Sequence, residues 1–303
     1  MKPHIINETS RLKSVILGVA NSIGAQPEID EAYDPKSIEH IKAGTYPEEK
    51  HMILEMNEVA SALEKHDVQV FRPEIIKGYN QIFSRDIGFV IEDKFIYANI
   101  LPYRDKEIKA IDYVLSQIPS KHKVKLPKKC HIEGGDVMPH GDYILVGTYR
   151  GEDYPDFITA RTNMAAVDEL QKLFPSKTVK SFNLRKSNTN PKANALHLDC
   201  CFQPVGDNYA IIHKNGFLEE EEYQWLVNLY GQDQVFEIDA DEMYEMNSNV
   251  FSISQNVVIS DVSFKRLNAW LNSKGIQVES VHYREIAKQE GLLRCSTLPL
   301  IRE

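Results

Sequence analysis

The sequence predicts an α/β chain assembled from about five repeats of one unit: strand pair, helix, strand. Three observations carry that prediction. Four apolar strand pairs are each joined by a polar turn. Stretches with helical 3.6-residue spacing lie between them. One polar marker opens each unit, and Asp86, Glu133, Asp199, Asn249 and Cys295 follow one another at intervals of 47, 66, 50 and 46 residues.

Taken in order, Leu12 to Gly18 reads as an opening strand and Met52 to Lys65 as a helix. Ser84-Arg85-Asp86 leads into a strand over Ile87 to Ile91, a turn at Glu92-Asp93-Lys94, and a strand over Phe95 to Tyr97. A helix is expected over Ile108 to Ile118. Glu133-Gly134-Gly135-Asp136 leads into Val137-Met138, a turn at His140-Gly141-Asp142, and Tyr143 to Val146, with a helix over Met164 to Phe174. His197-Leu198-Asp199 leads into Cys200-Cys201-Phe202, a turn at Gly206-Asp207-Asn208, and Tyr209 to Ile212. The next helix is expected over Glu220 to Tyr230. Asn247-Ser248-Asn249 leads into Val250 to Ile253, a turn at Gln255-Asn256, and Val257 to Ile259, then a helix over Ser263 to Lys274. If such units close around an axis, equivalent strand starts converge on one central site, as blade ends do in a propeller. The alternative is an ordinary α/β chain whose acidic residues cap strands.

Composition narrows the function. The 303 residues, 42% hydrophobic and 26% charged, suit a water-soluble globular protein, read here as one domain over 1–303. No apolar run approaches the roughly 18 residues of a spanning helix. The N-terminus lacks the apolar stretch of a signal peptide, so the chain is expected in the cytoplasm. A net charge of -9 argues against general nucleic-acid binding and fits a small cationic substrate. Four cysteines, with no CxxC pair among them, are too few for a disulfide framework and are read as reduced thiols.

Cys295 is the candidate reacting atom. It lies in Leu293-Arg294-Cys295-Ser296-Thr297, where a cation beside it favours the thiolate, although a histidine and a bound guanidinium would be stronger reasons for one and Arg294 then reads as scaffolding. Convergence would add His197, Asp86, Glu133 and Asp199, giving a negatively biased pocket suited to a planar guanidinium. Asp86 and Asp199 would each grip one edge and hold the central carbon for Cys295. His197 would transfer protons, and Glu133 would orient it and favour its charged form.

Plainer readings stand beside these. A lone histidine is often a hydrogen-bonded core residue, and Gly134-Gly135 supplies a tight turn. Cys200 and Cys201 alternate across a strand, so one packs inward, and Cys130 is structural. Glu219 to Glu222 reads as the solvated start of a helix, and Lys121 to Lys129 as a basic loop. A metal site built from His197, Asp199, Asp86, Glu133 and Asp136 would leave Cys295 without a role, so no metal is expected. No phosphate-binding glycine loop is present.

Phe83-Ser84-Arg85-Asp86, Ile132-Glu133-Gly134-Gly135-Asp136-Val137, His197-Leu198-Asp199 and Leu293-Arg294-Cys295-Ser296-Thr297 occur in that order. As a set they resemble the guanidine-modifying (pentein) superfamily of arginine deiminases, dimethylarginine dimethylaminohydrolases and amidinotransferases, from about Arg11 to Glu303. The resemblance implies a five-bladed α/β propeller with its active site on the axis and no cofactor. It implies Cys295 as nucleophile, His197 as general acid/base and Glu133 as its partner. Asp86 and Asp199 become guanidinium ligands, and Asp136 is counted with the substrate-binding set. Ala160-Arg161-Thr162-Asn163 resembles the hydrolases' segment whose arginine binds the substrate α-carboxylate, which makes Arg161 a specificity residue. Its plainer reading is a surface arginine at a helix start. Arg150 to Thr159 reads as an insertion that forms a lid or narrows the pocket.

Together these features favour arginine-deiminase-like hydrolysis. Amidino transfer to an amine, dimethylarginine hydrolysis, and an inactive binder of guanidino compounds or metals remain as alternatives. The sequence leaves homo-oligomer formation open.

Overall fold

In a computed structural model of the chain, which describes residues 1–154 and 156–303, the repeats become five three-stranded sheets. The first contains β1 (Leu12–Leu17) and β2 (Gln69–Phe71). The second is β3 (Gly88–Ile91), β4 (Lys94–Tyr97) and β5 (Lys123–Lys125), and the third β6 (Val137–His140), β7 (Tyr143–Thr148) and β8 (Thr178–Asn183). The fourth is β9 (Phe202–Val205), β10 (Tyr209–Ile212) and β11 (Val235–Glu237), and the fifth β12 (Phe251–Ser254), β13 (Val257–Asp261) and β14 (Gln277–Val281). The last strand, β15 (Thr297–Arg302), returns to complete the first sheet beside β1.

Each sheet is built the same way, from an antiparallel pair followed by a third strand parallel to the second. A tight turn suffices for the antiparallel pair, whereas the parallel one needs a crossover, and helices supply it. The first sheet's crossover contains α1 (Pro35–Ala43) and α2 (Glu49–Lys65), the second's α3 (Asp112–Leu115), and the third's α4 (Met164–Leu173). The fourth uses α5 (Glu220–Tyr230), then α6 (Ala240–Tyr244) links two sheets, and α7 (Lys265–Ser273) crosses over in the fifth. In α2, Met52, Met56, Val59 and Leu63 recur at helical spacing and are all buried in the largest core cluster. Burying each is worth about 1.5–3 kcal/mol.

The five marker turns precede β3, β6, β9, β12 and β15, and they touch in sequence until the circuit closes. Gly134 lies against the Arg85 carbonyl, so close that a Cβ would sit 2.1 Å from it. The Leu198 N–H donates to Asp136 Oδ1 at 2.9 Å, and Ser248 Oγ donates to the Asp199 carbonyl at 2.9 Å. The Arg294 N–H donates to the Asn249 carbonyl at 3.3 Å, and the Arg85 N–H to the Cys295 carbonyl at 3.0 Å.

Three local expectations are corrected, and one helix is added. Cys200 and Cys201 do not alternate on a strand: Leu198–Cys200 is a 3-10 turn, β9 starts at Phe202, and both thiols are buried. The expected helix over Ile108 to Ile118 is a 3-10 turn, Glu107–Ile111, followed by the short α3, and Pro119 forbids helical geometry at Ile118. Glu222 is not solvated, because it accepts from the Asn183 N–H at 2.5 Å and from Arg150 Nη2 at 2.6 Å. The sequence reading did not anticipate α1, although its signals are present. Asp34 caps it by accepting from the Ser37 N–H at 2.7 Å, Pro35 occupies its first turn, and Gly44 ends it in the left-handed region. Among the described residues, no helix is long and apolar enough to cross a membrane.

Candidate active site

A cavity of about 280 Å3 opens over the ring of turns, and Cys295, His197, Asp86, Arg161 and Arg104 all reach its wall. The outer wall comes from the segment around α1, including Tyr33, Asp34, Ser37 and Tyr46. That segment is tied down where Arg161 Nη2 donates to the Tyr33 carbonyl at 2.7 Å and the Lys36 N–H donates to Glu290 Oε2 at 3.3 Å.

Cys295 sits in the turn before β15 and is clasped by Asn249. Its N–H donates to Asn249 Oδ1 at 3.1 Å, and Asn249 Nδ2 donates to its Sγ at 3.2 Å. The two Asp199 oxygens lie 3.8 and 3.7 Å from Sγ. Burial pushes the thiol pKa well above its ordinary value of 9.0, and the carboxylates of Asp199 and Asp86 push it further. Arg294 is scaffolding beside the thiol and not its partner. Its guanidinium turns away from the cavity to donate to Glu8, to Asp199 Oδ2 at 2.8 Å, and to the Gly135 and Val137 carbonyls.

His197 Nε2 lies 2.8 Å from Glu133 Oε2, and its Nδ1 lies 3.8 Å from Asp86 Oδ1. Burial alone would lower the imidazole pKa, but Asp86, Asp136 and the Glu133 hydrogen bond outweigh it and raise it above 6.5. Burial would likewise push the Glu133 carboxyl up, yet the Arg161 guanidinium and His197 hold it below the usual carboxylate range. Gly135 permits this arrangement by its missing side chain. A Cβ there would lie 2.7 Å from the His197 ring, so close approach explains the glycine, whereas the sequence reading invoked turn geometry.

Asp86 Oδ2 accepts from Arg104 Nη1 at 2.6 Å, and Arg104 also clamps both oxygens of Glu107. Asp86 Oδ1 is buried without a hydrogen-bond partner. A buried carboxylate oxygen left open at a cavity wall is a place for a donor that arrives with a ligand. Arg104 was not anticipated from sequence. Its only sequence signal is the Arg104–Glu107 spacing of three.

Two expected residues sit away from the cavity wall, and for a third, Arg161, which does reach it, the plainer reading is corrected. Arg161 is neither at a helix start nor on the surface. It is 2% exposed, with Nη1 on Glu133 Oε2 at 3.0 Å and Nε on the Ile158 carbonyl. Asp136 and Asp199 are fully buried behind the cavity wall, the first holding the Leu198 turn and the second held by Arg294. In the described part of the insertion Arg150 to Thr159, the Ile158 carbonyl accepts from Arg161 Nε at 2.8 Å and Thr159 Oγ1 donates to Asn188 Oδ1 at 3.0 Å; Pro155 lies outside the described residues. Asp86, Glu133 and His197 also present ligand atoms within 4.8 Å of one another, as a metal site would. Glu133 and Asp86 are already engaged by two guanidinium groups, so the donor set suits an oriented imidazole better.

A family model described as N,N dimethylarginine dimethylhydrolase, eukaryotic, matches residues 35–302. The chain belongs to this family. The uncharacterized protein YkgA of Bacillus subtilis (strain 168) is 31% identical to this dimethylhydrolase-family chain over 247 residues, covering 80% of this chain and 78% of that protein. An arginine deiminase of Listeria monocytogenes serotype 4b (strain F2365) is 24% identical over 265 residues, 74% of this chain, which spans 62% of that enzyme. Among solved structures, the N-terminal domain of ArgZ bound covalently to a reaction intermediate superposes with a TM-score of 0.78. It is 15% identical and covers 95% of this chain and 98% of that one. SxtG, an amidinotransferase from Microseira wollei, gives 0.75 at 16% identity over 99% and 97%. The dimethylhydrolase family thus takes its place here within the wider guanidine-modifying superfamily that the motifs resemble.

Proposed function

We propose that this chain is a cysteine-dependent hydrolase of the guanidino group of arginine or an arginine derivative. The five sheets would serve as blades of an α/β propeller around the ring of turns, with the site on its axis. The observation that carries this reading is one cavity wall bearing a thiol, an imidazole held by a carboxylate, and the open Asp86 oxygen. A guanidinium entering the cavity donates to Asp86 Oδ1, and its charge offsets the two carboxylates that keep the thiol protonated. Substrate entry and release of the thiol proton thereby coincide.

The Cys295 thiolate then forms a bond to the guanidino carbon. Imidazolium His197, held at Nε2 by Glu133, gives a proton to the departing nitrogen as the C–N bond breaks, leaving an S-alkylthiouronium. Neutral His197 next takes a proton from water, whose oxygen attacks the same carbon. The C–S bond breaks as the remaining hydroxyl proton of the adduct passes to solvent, yielding a neutral ureido product and regenerating thiolate and imidazolium. None of these steps requires a cofactor, and the chain is read as working in the cytoplasm. Arg161, with Arg104 beside it, supplies positive charge for an α-carboxylate at the far side of the cavity.

Family membership favours methylated arginines as a second substrate reading, in which the departing nitrogen carries methyl groups. Incubation with arginine, methylarginines and agmatine, with ureido product and ammonia or amine measured, separates these readings. Product that forms only when an amine acceptor is added would identify amidino transfer. Cys295→Ala is expected to abolish turnover, and normal turnover by that variant overturns the mechanism.

A further inference from the structure

Directly beneath the nucleophile, away from the cavity, lies a buried chain of charge that the mechanism above does not use. Glu8 precedes β1, is 4% exposed, and lies outside the range matched by the family model. Its Oε2 accepts from Arg294 Nε at 3.1 Å and its Oε1 from Arg294 Nη2 at 3.2 Å, a two-pronged pair that fixes the guanidinium plane. The remaining prong, Arg294 Nη1, donates to Asp199 Oδ2 at 2.8 Å. Asp199 in turn flanks Cys295 Sγ with both oxygens under 4 Å away.

We propose that Glu8 is a positioning residue for the chemistry at Cys295, acting through Arg294 to set the orientation and net charge of Asp199 beside the sulfur. The proposal rests on Cys295 being the reacting thiol. A buried guanidinium with one carboxylate partner carries net positive charge once that partner's charge is removed. With Glu8 and Asp199 both in place, Arg294 sits between two anions, and the sulfur faces an oriented carboxylate. Without the Glu8 charge, the pair Arg294–Asp199 becomes neutral as seen from the thiol, which favours the thiolate and disfavours a cationic guest.

The other charged and titratable groups nearby are few enough to name. Arg85 and Arg302 face Glu8, and His140 and the Tyr230 hydroxyl lie within its field. Asp86, the Cys200 thiol and the Tyr283 hydroxyl share the surroundings of Cys295. All of these are retained in a Glu8→Gln protein, so the change in charge at residue 8 is the only electrostatic variable.

Two opposite effects distinguish this role from loosened packing. The rate of Cys295 alkylation by iodoacetamide, followed by mass spectrometry across pH, should show its midpoint fall by about half a unit or more in Glu8→Gln. KM for arginine should rise about tenfold in the same protein, while Glu8→Asp, which keeps the charge, stays near wild type in both. The double variant Glu8→Gln/Arg294→Gln leaves Asp199 without its cation and should raise the midpoint above wild type. A structural defect alone would speed alkylation at every pH without moving the midpoint. Unmoved midpoints in the single and double variants overturn the proposal, and if the single variant does not fold, the neutral double pair decides alone. Should wild type turn over no guanidino compound, the assigned function fails, yet the alkylation midpoints still decide the role of Glu8.

Discussion

At the scale of single residues, the site works by setting ionisation states against their ordinary values. The surrounding carboxylates hold the His197 imidazolium to higher pH than a free imidazole, and burial together with Asp199 and Asp86 holds the Cys295 thiol protonated to higher pH than a free thiol. The profile of kcat/KM for arginine should therefore be a bell with its acid limb above pH 6.5 and its alkaline limb above pH 9, and a single sigmoid centred below 6.5 would contradict it. Arg161→Ala should raise KM for arginine by about 10–100-fold through the lost charge-assisted hydrogen bond. Because agmatine lacks the carboxylate, its KM should change far less. Equal losses for the two compounds would place the carboxylate elsewhere. The clustering of Cys295, His197, Glu133, Asp86 and Asp199 was legible in the sequence because each lies in the polar turn that opens a repeating unit. Arg104 and Glu8 were not legible, since each sits in a polar run that looks like surface until the fold buries it.

At the scale of elements, the marker turns matter more than the strands they introduce. Gly135 brings the third unit's turn under the His197 ring, where a methyl group would lie 2.7 Å from Cγ. Gly135→Ala should cost about 1–3 kcal/mol in denaturant unfolding, and it should lower kcat by about 10²-fold by displacing the imidazole. Wild-type kcat in that variant would show that the ring tolerates the shift. The hairpins were readable because period-two apolar runs flank obvious turn residues, as at Tyr209–Ile212, which the structure reproduces residue for residue. The Cys200-Cys201 pair misled because it is apolar enough to extend a strand. The Asp136 contact to the Leu198 N–H winds that stretch into a turn, and such a contact, 62 residues distant, leaves no local trace. Helix α1 was missed for the reverse reason: its capping signals are clear but its apolar stripe is thin.

At the scale of the whole molecule, five repeats are held together by a ring of turns and by a first sheet whose strands come from both chain ends. Buried charge at the ring links stability to pH. Burial would raise the Glu8 carboxyl, but Arg294 and Arg85 outweigh it and lower it from 4.5 to about 2. A depressed carboxyl contributes stability in full above its unfolded value and loses it as pH falls through the folded one. Wild type should thus lose roughly 3 kcal/mol between pH 4.5 and 2 from this group. Glu8→Gln should show a correspondingly shallower acid-unfolding curve by circular dichroism, and identical curves would rule the linkage out. The pairing of β15 with β1 also carries a meaning for biosynthesis. β15 is made long after β1, so the turn bearing Cys295 is seated against β1 only once both strands have left the ribosome. A chain cut before β15 would leave β1 without its antiparallel partner and the Cys295 turn without its seat, however well the other four sheets had folded.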